Sequence, residues 1–173
     1  GDETAAVAPP PSCGCLVVDS GYSFSHCVPY FDSHPMNYGI TRVDVGGKIL
    51  TNYLKEVVSF RQYNMMEEAH LMRSIKERVC FVSQNFERDL KRAAQRKNNP
   101  FRLEYVLPDY VTSRTGFVRN GPDDPNRGKE TVPYGEDQTM MLSNERFSVP
   151  EALFRPADVG FTQAGVGEAV EQA

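Results

Sequence analysis

The sequence predicts an α/β fold, and three observations carry that prediction. Short apolar runs broken by glycine-containing turns fill roughly the first 45 residues, as strands joined by tight hairpins do. From Lys48 to Ala94 the apolar residues recur instead at the three- and four-residue spacing of helices. Beyond Phe101 strand-like runs return, and no period repeats along the chain.

The elements follow in order. Cys15 to Asp19 is a buried-strand pattern that stops at Ser20-Gly21, and a second β-like run covers Tyr22 to Tyr30, so a hairpin is expected around Ser20 to Ser23. Gly39 to Val45 reads as a third strand, closed by Gly46-Gly47. Leu50, Tyr53, Leu54, Val57 and Val58 share one face of a first helix from about Lys48 to Phe60. A second helix carries Ala69, Met72, Ile75 and Val79, and Asn64 with Glu67 three residues later reads as a capping box at its start. Phe86, Leu90, Ala93 and Ala94 mark a third helix, ended by Asn98-Asn99-Pro100. Phe101 to Leu107 is a strand stopped by Pro108-Asp109. Gly116 to Asp137 then holds four glycines and three prolines in 22 residues, too long for a simple connector, so a flexible insertion is expected there. Order resumes at Thr139 to Leu142 and Asn144 to Phe154.

Composition narrows the class. With 40% hydrophobic and 24% charged residues, the 173-residue chain is ordinary globular material, not collagenous, wholly disordered or membrane-spanning. A formal net charge of −4 argues against a surface built wholly for nucleic acid. Arg88, Lys91, Arg92, Arg96, Lys97 and Arg102, against Asp89 alone, still form a local basic stretch that reads either as a DNA or acidic-partner surface or as a solvated helix face. Cys13, Cys15, Cys27 and Cys80 have no metal-ligand or disulfide-framework spacing, and reduced thiols are expected. The first twelve residues, with three consecutive prolines, read as a linker without signal-peptide character, and the glycine start marks the chain as a candidate fragment.

Chemistry concentrates in a few places. Val18-Asp19-Ser20-Gly21 delivers a carboxylate from a strand into a hydroxyl- and glycine-containing turn, an arrangement that cradles a phosphate and holds hydrated Mg²⁺, or else is an ordinary turn. His26 reads either as the residue orienting an attacking water or as a packed hairpin histidine. Gly46-Gly47-Lys48 would present free N–H groups and a cation at a helix N-terminus. Arg73, Lys76 and Glu77 share one helix side and read either as a ribose or base pocket or as a charged face. No nucleophile stands with a histidine at hydrolase spacing.

Taken in order, CLVVDSGYSFSHCVPY, ITRVDVGGKILTNYLKEVV, IKERVCFV, FRLEYVLPD and NERFSVPEALFRP resemble the actin superfamily from about residue 15 to the end. The resemblance implies a partial actin-like (RNase-H-like) large domain with an inserted helical subdomain. Its divisions would be a flexible linker at 1–14, RNase-H-like strands and a first helix at 15–62, a helical subdomain with one strand at 63–115, a flexible insertion at 116–138, and a truncated return to the large domain at 139–173. Matched residue by residue, Asp19, Ser20 and Gly21 correspond to the second phosphate loop, with Asp19 on the Mg²⁺ side through water. His26 corresponds to the histidine that orients the hydrolytic water, Gly47 with Lys48 to the ribose and phosphate end, and Arg73, Lys76 and Glu77 to the adenosine surround.

The actin loop reads DSGDG, and here Tyr22 and Ser23 replace its second Asp and second Gly, while Lys48 stands for an arginine. The loss removes a ribose-binding carboxylate, so the expectation is at most residual binding of ATP with Mg²⁺ and no catalysis. VDSGYSF, GGKILTNYLKEVVSFRQ and the insertion between LPD and NERF are most similar to the sixth class of nuclear actin-related proteins. That class implies a nuclear protein, also cytoplasmic in part, a structural subunit of SWR/SRCAP-type remodellers that exchange a core histone for its Z-type variant. The implied partners are other remodeller subunits and the nucleosome, with no membrane; the motor ATPase is another subunit. The alternative reading is an ATP-hydrolysing cytoskeletal actin-like protein. A chain of this length should leave apolar surface uncovered, because strands that complete the sheet are missing.

Overall fold

A computed structural model describes residues 13–95, 97–111, 114–125, 127 and 137–173. The expected linker at 1–12, Arg96 of the basic stretch and most of the second half of the expected insertion lie outside the described residues.

Four strands form the first sheet: β1 (Gly14–Ser20), β2 (Ser25–Phe31), β3 (His34–Pro35) and β4 (Thr41–Val43). β2 is central, antiparallel to β1 on one side and to β3 and β4 on the other. The sequence reading lacked β3. It forms because Asp32 and Ser33 both take left-handed backbone angles, φ 48° and 66°, giving the two-residue turn that suits a twisted hairpin.

Residues facing each other across β1 and β2 share a face of the sheet. Ser25, Cys27 and Val43 point into the core, while His26 and its neighbours Asp19 and Arg42 lie on the opposite face. The strand expected to be buried at Cys15 to Asp19 is not: β1 stands at the sheet's edge, and all seven of its residues are exposed. Val17 on one face and Leu16 and Val18 on the other remain 36–47% accessible, so apolar surface is uncovered on both sides of the strand, as expected.

Helix α1 (Gly47–Arg61) covers the core face through Leu50, Leu54 and Val58, spaced at one-turn intervals. Its C-terminal Gln62 meets the second sheet, in which β5 (Leu103–Val106) pairs with β6 (Phe117–Val118) and β7 (Thr139–Leu142). The Gln62 side chain donates to Met141 O at 2.7 Å and accepts from Met141 N at 2.8 Å, satisfying one residue of the β7 edge on both sides. Helix α2 (Ala69–Val79) adds Met72, Ile75 and Val79, and one apolar core runs from the first sheet through α1 and α2 to the second sheet.

The α2 start differs from the sequence reading. Asn64 does not cap it; its side chain accepts from Met66 N within a local turn, Met65 is buried, and the helix begins only at Ala69. β6 also corrects the expectation of a flexible insertion beginning at 116, since Phe117–Val118 pair with β5 and Arg119 bridges Glu104 at 2.8 Å. Gly116 permits that pairing, because a Cβ there would strike the Tyr105 ring and the Val106 carbonyl.

Helix α3 (Phe86–Ala93) is capped by Asn85, whose side chain accepts from Arg88 N at 3.0 Å. Helix α4 (Glu145–Glu151) contains Pro150, which has no N–H for the Arg146 carbonyl four residues back. Phe81 N supplies that missing donor at 2.9 Å. The buried ring of Phe147 packs between Phe81, Phe86 and Phe101. Arg146 ties the region together by donating to Val79 O and Phe101 O, both at 2.9 Å. A last helix absent from the sequence reading, α5 (Val166–Gln172), returns to the first sheet, where Thr41 donates to Ala169 O at 3.0 Å.

Candidate functional site

The β1–β2 hairpin and the start of α1 meet at one corner. Gly21 N donates to Phe24 O at 3.0 Å and closes a four-residue turn at the hairpin tip. The tip rests directly on the helix: Gly47 N donates to Gly21 O at 3.0 Å and Lys48 N to Tyr22 O at 2.8 Å. Gly46 makes this approach possible, since a Cβ there would lie 2.7 Å from Tyr22 O and 2.8 Å from Gly21 O. The Gly46-Gly47 doublet is the sequence signal for this corner, although it reads there as the end of a strand and a helix start with free N–H groups.

The expectation of free N–H groups at Gly46-Gly47-Lys48 is therefore corrected. Two of the helix's opening donors are engaged by hairpin carbonyls 26 residues away in sequence. An anion at this end would compete with a bonded hairpin rather than meet open donors.

Helix α2 closes the corner from the other side. Lys76 Nζ donates to Gly47 O at 2.9 Å, and burial pulls its ammonium below the usual lysine range. Arg73 Nε pairs with Glu77 at 2.9 Å, one turn apart. Their mutual hydrogen bond raises the Arg73 guanidinium and lowers the Glu77 carboxyl from their ordinary values. The Arg73 guanidinium also lies 5.4 Å from the centre of the Tyr22 ring. Gly21, Gly47, Lys48, Lys76, Arg73 and Glu77 are thus linked through contacts at this corner. Tyr22, named in the sequence only as a departure, stands among them.

Asp19, Ser20 and His26 belong to the strands behind the tip. Asp19 faces His26 across the hairpin, and Ser20 Oγ lies 3.1 Å from Ser25 Oγ, which donates to Val45 O at 2.8 Å. The His26 ring meets Phe24 edge-on at 6.2 Å, and Arg42, opposite His26 on β4, lies over Phe24 at 4.2 Å while bound to Asp44. His26 is therefore half-buried on this face, beside the exposed Phe24 and Arg42. Among the described residues no three His, Cys, Asp or Glu side chains converge on one point.

The residues present fit the phosphate and metal end of a nucleotide: a glycine-containing turn lies beside the exposed Asp19, whose carboxylate suits hydrated Mg²⁺ held through water. At the start of α1, a Cβ at Gly47 would meet the Cα and a ring carbon of the exposed Tyr22 at an ordinary contact distance of 3.6 Å, and Lys76 Nζ at a closer 3.3 Å.

The basic stretch is partly neutralised. Asp89 is buried and draws in Arg88 at 3.2 Å and Arg92 at 3.7 Å, while Lys91 and Arg102 remain exposed.

Comparison with known proteins places this architecture. The sequence model of a family described as "Actin" matches residues 12–173. The chain is 43% identical over 160 residues to "Actin-related protein 6" of Drosophila melanogaster, covering 92% of this chain and 39% of that protein. It is 44% identical over 185 residues to "Actin-like protein arp6" of Emericella nidulans, covering 97% and 38%. To "Actin-related protein 6" of Arabidopsis thaliana it is 42% identical over 177 residues, covering 91% and 41%. The chain spans about two fifths of the length of these curated relatives. With the α/β architecture and the match across nearly its whole length, the chain belongs to the actin family.

Proposed function

We propose that the protein is an actin-related structural subunit of a nuclear chromatin-remodelling complex that exchanges a core histone for its Z-type variant. It contributes to transcription regulation by scaffolding and nucleosome engagement, and the ATP-driven step belongs to another subunit. The similarity to actin-related proteins of the sixth class carries this reading. The departures at Tyr22 and Ser23 support a role without catalysis. The exposed Lys91 and Arg102 offer a surface for nucleosome contacts.

The test is reconstitution of the remodeller with and without the full-length protein. The reading expects histone exchange to fail without it while the motor subunit still hydrolyses ATP. Exchange at an unchanged rate in its absence overturns the reading. Deleting residues 126–136 in the full-length protein, which leaves β6 in place, is expected to weaken assembly with the neighbouring subunit, measured by co-purification.

A further inference from the structure

A groove runs along α1 beside its core stripe. Ile49, Tyr53 and Glu56, spaced four and three residues apart, line one side of the helix over two turns, about 10 Å of its axis. The facing wall is a 3₁₀ turn, Pro156–Val159, with Phe161 beyond it. That wall is held in place: Phe161 N donates to Pro156 O at 3.1 Å, and Gln163 accepts from Asp44 N at 3.3 Å. The cavity between the walls measures about 420 Å³. A cavity of about 150 Å³ already holds a benzene-sized group, so more than one apolar side chain fits here.

Floor and rim differ in chemistry. Ile49, Tyr53, Val159 and Phe161 are half-buried, packing on the core from below while lining the cavity above. Glu56 and Asp158 stand exposed, one on each wall. Among the described residues neither carboxylate is ion-paired, and no cation lines the cavity. Lys55, beside Glu56 in sequence, donates instead to Met66 O at 3.2 Å. Arg155 pairs with Glu151 at 3.5 Å and lies over the Phe86 ring.

We propose that this groove docks a basic amphipathic helix of a partner protein. The partner's apolar side chains lie between α1 and the Pro156–Phe161 wall, and a lysine or arginine reaches Glu56 and Asp158. The two-turn length along α1 matches apolar anchors placed one turn apart on a helix. Charge selects the occupant: the apolar floor alone would accept many segments, but an acidic one would meet like charges on both walls. The inference goes beyond the scaffold reading and does not rest on it.

The experiment uses the full-length protein and, as the probe, an end-capped helical peptide of leucine and lysine, about 14 residues long, with its leucines on one face. Fluorescence anisotropy gives its affinity. Zero-length carbodiimide coupling, followed by mass spectrometry, identifies the carboxylates that meet its lysines. Coupling at Glu56 and Asp158 is expected, and Glu56→Lys combined with Asp158→Lys should weaken binding at least about tenfold. A peptide with glutamate in place of lysine should lose at least as much. No binding, undiminished affinity in the double variant, or coupling only at other carboxylates overturns the proposal. Both positions are exposed; if the double variant nevertheless fails to fold, Glu56→Gln with Asp158→Asn is read in the same way. Self-association of the full-length protein in sedimentation velocity, lost in the double variant, would make a second copy the occupant and overturn the proposal. Coupling of Glu56 or Asp158 to a lysine of the protein's own chain, before peptide is added, would overturn it too.

Discussion

Lys76 Nζ donates to the carbonyl of Gly47 at 2.9 Å, so a side chain from α2 closes on the opening turn of α1. The hairpin tip meets the same turn through Gly21 and Tyr22. Three segments far apart in sequence therefore converge on one helix start. Replacing Lys76 by methionine keeps the apolar stem but removes the charged donor, and is expected to cost about 1–2 kcal/mol of stability. Chemical denaturation of the full-length protein measures it; an unchanged midpoint would show that the bond contributes nothing.

Arg146 is the corresponding tie on the opposite side of the core. It donates to Val79 O and Phe101 O, and burial lowers its guanidinium from the ordinary arginine value. Arg146→Leu leaves both carbonyls without that donor and should destabilise by about 2–3 kcal/mol. The larger loss than for Lys76→Met, in the same denaturation series, is the expected outcome.

Acid stability should depend on Asp89. The Ser83 hydroxyl donates to its carboxylate at 2.8 Å, and together with Arg88 and Arg92 this outweighs burial and holds the carboxyl below the usual range. A carboxyl lowered in the folded state contributes stability that is complete above the unfolded value, about pH 4, and is lost as pH falls through the folded one. Ser83→Ala should therefore destabilise at neutral pH, with the effect shrinking as pH falls below about 4. A destabilisation that does not change as pH falls would contradict the assignment.

Cys80 should resist alkylation in the folded protein. Burial pushes its thiol up to about 12, against the opposing effect of the nearby Arg146 and Lys76 charges, so little thiolate exists at neutral pH. Mass spectrometry after iodoacetamide treatment of the native full-length protein should find Cys80 unmodified, with labelling appearing only in denaturant.

Much of this architecture is legible in the sequence, because α1 and α2 announce themselves through Leu50, Leu54 and Val58 and through Met72, Ile75 and Val79. Local chemistry misleads where a distant partner decides. Asn64 and Glu67 have capping-box spacing, yet burial of Met65 turns the segment and delays the helix to Ala69. β6 has only two residues and exists because Gly116 can lie against Tyr105, a contact across the sheet that no local pattern records. At the corner, the order of motifs singles out residues that meet there, among them Gly21, Gly47 and Lys76. That Gly21 and Tyr22 would engage the donors of Gly47 and Lys48 depends on how hairpin and helix dock, which residue types alone do not specify.

A scaffold role, as proposed, needs no ATP cycle of the protein's own. Steady-state ATP turnover by the purified full-length protein, measured beside its His26→Ala variant, separates that role from an ATPase. No turnover above background is expected in either protein. Sustained turnover by the wild type that His26→Ala abolishes would overturn the scaffold role.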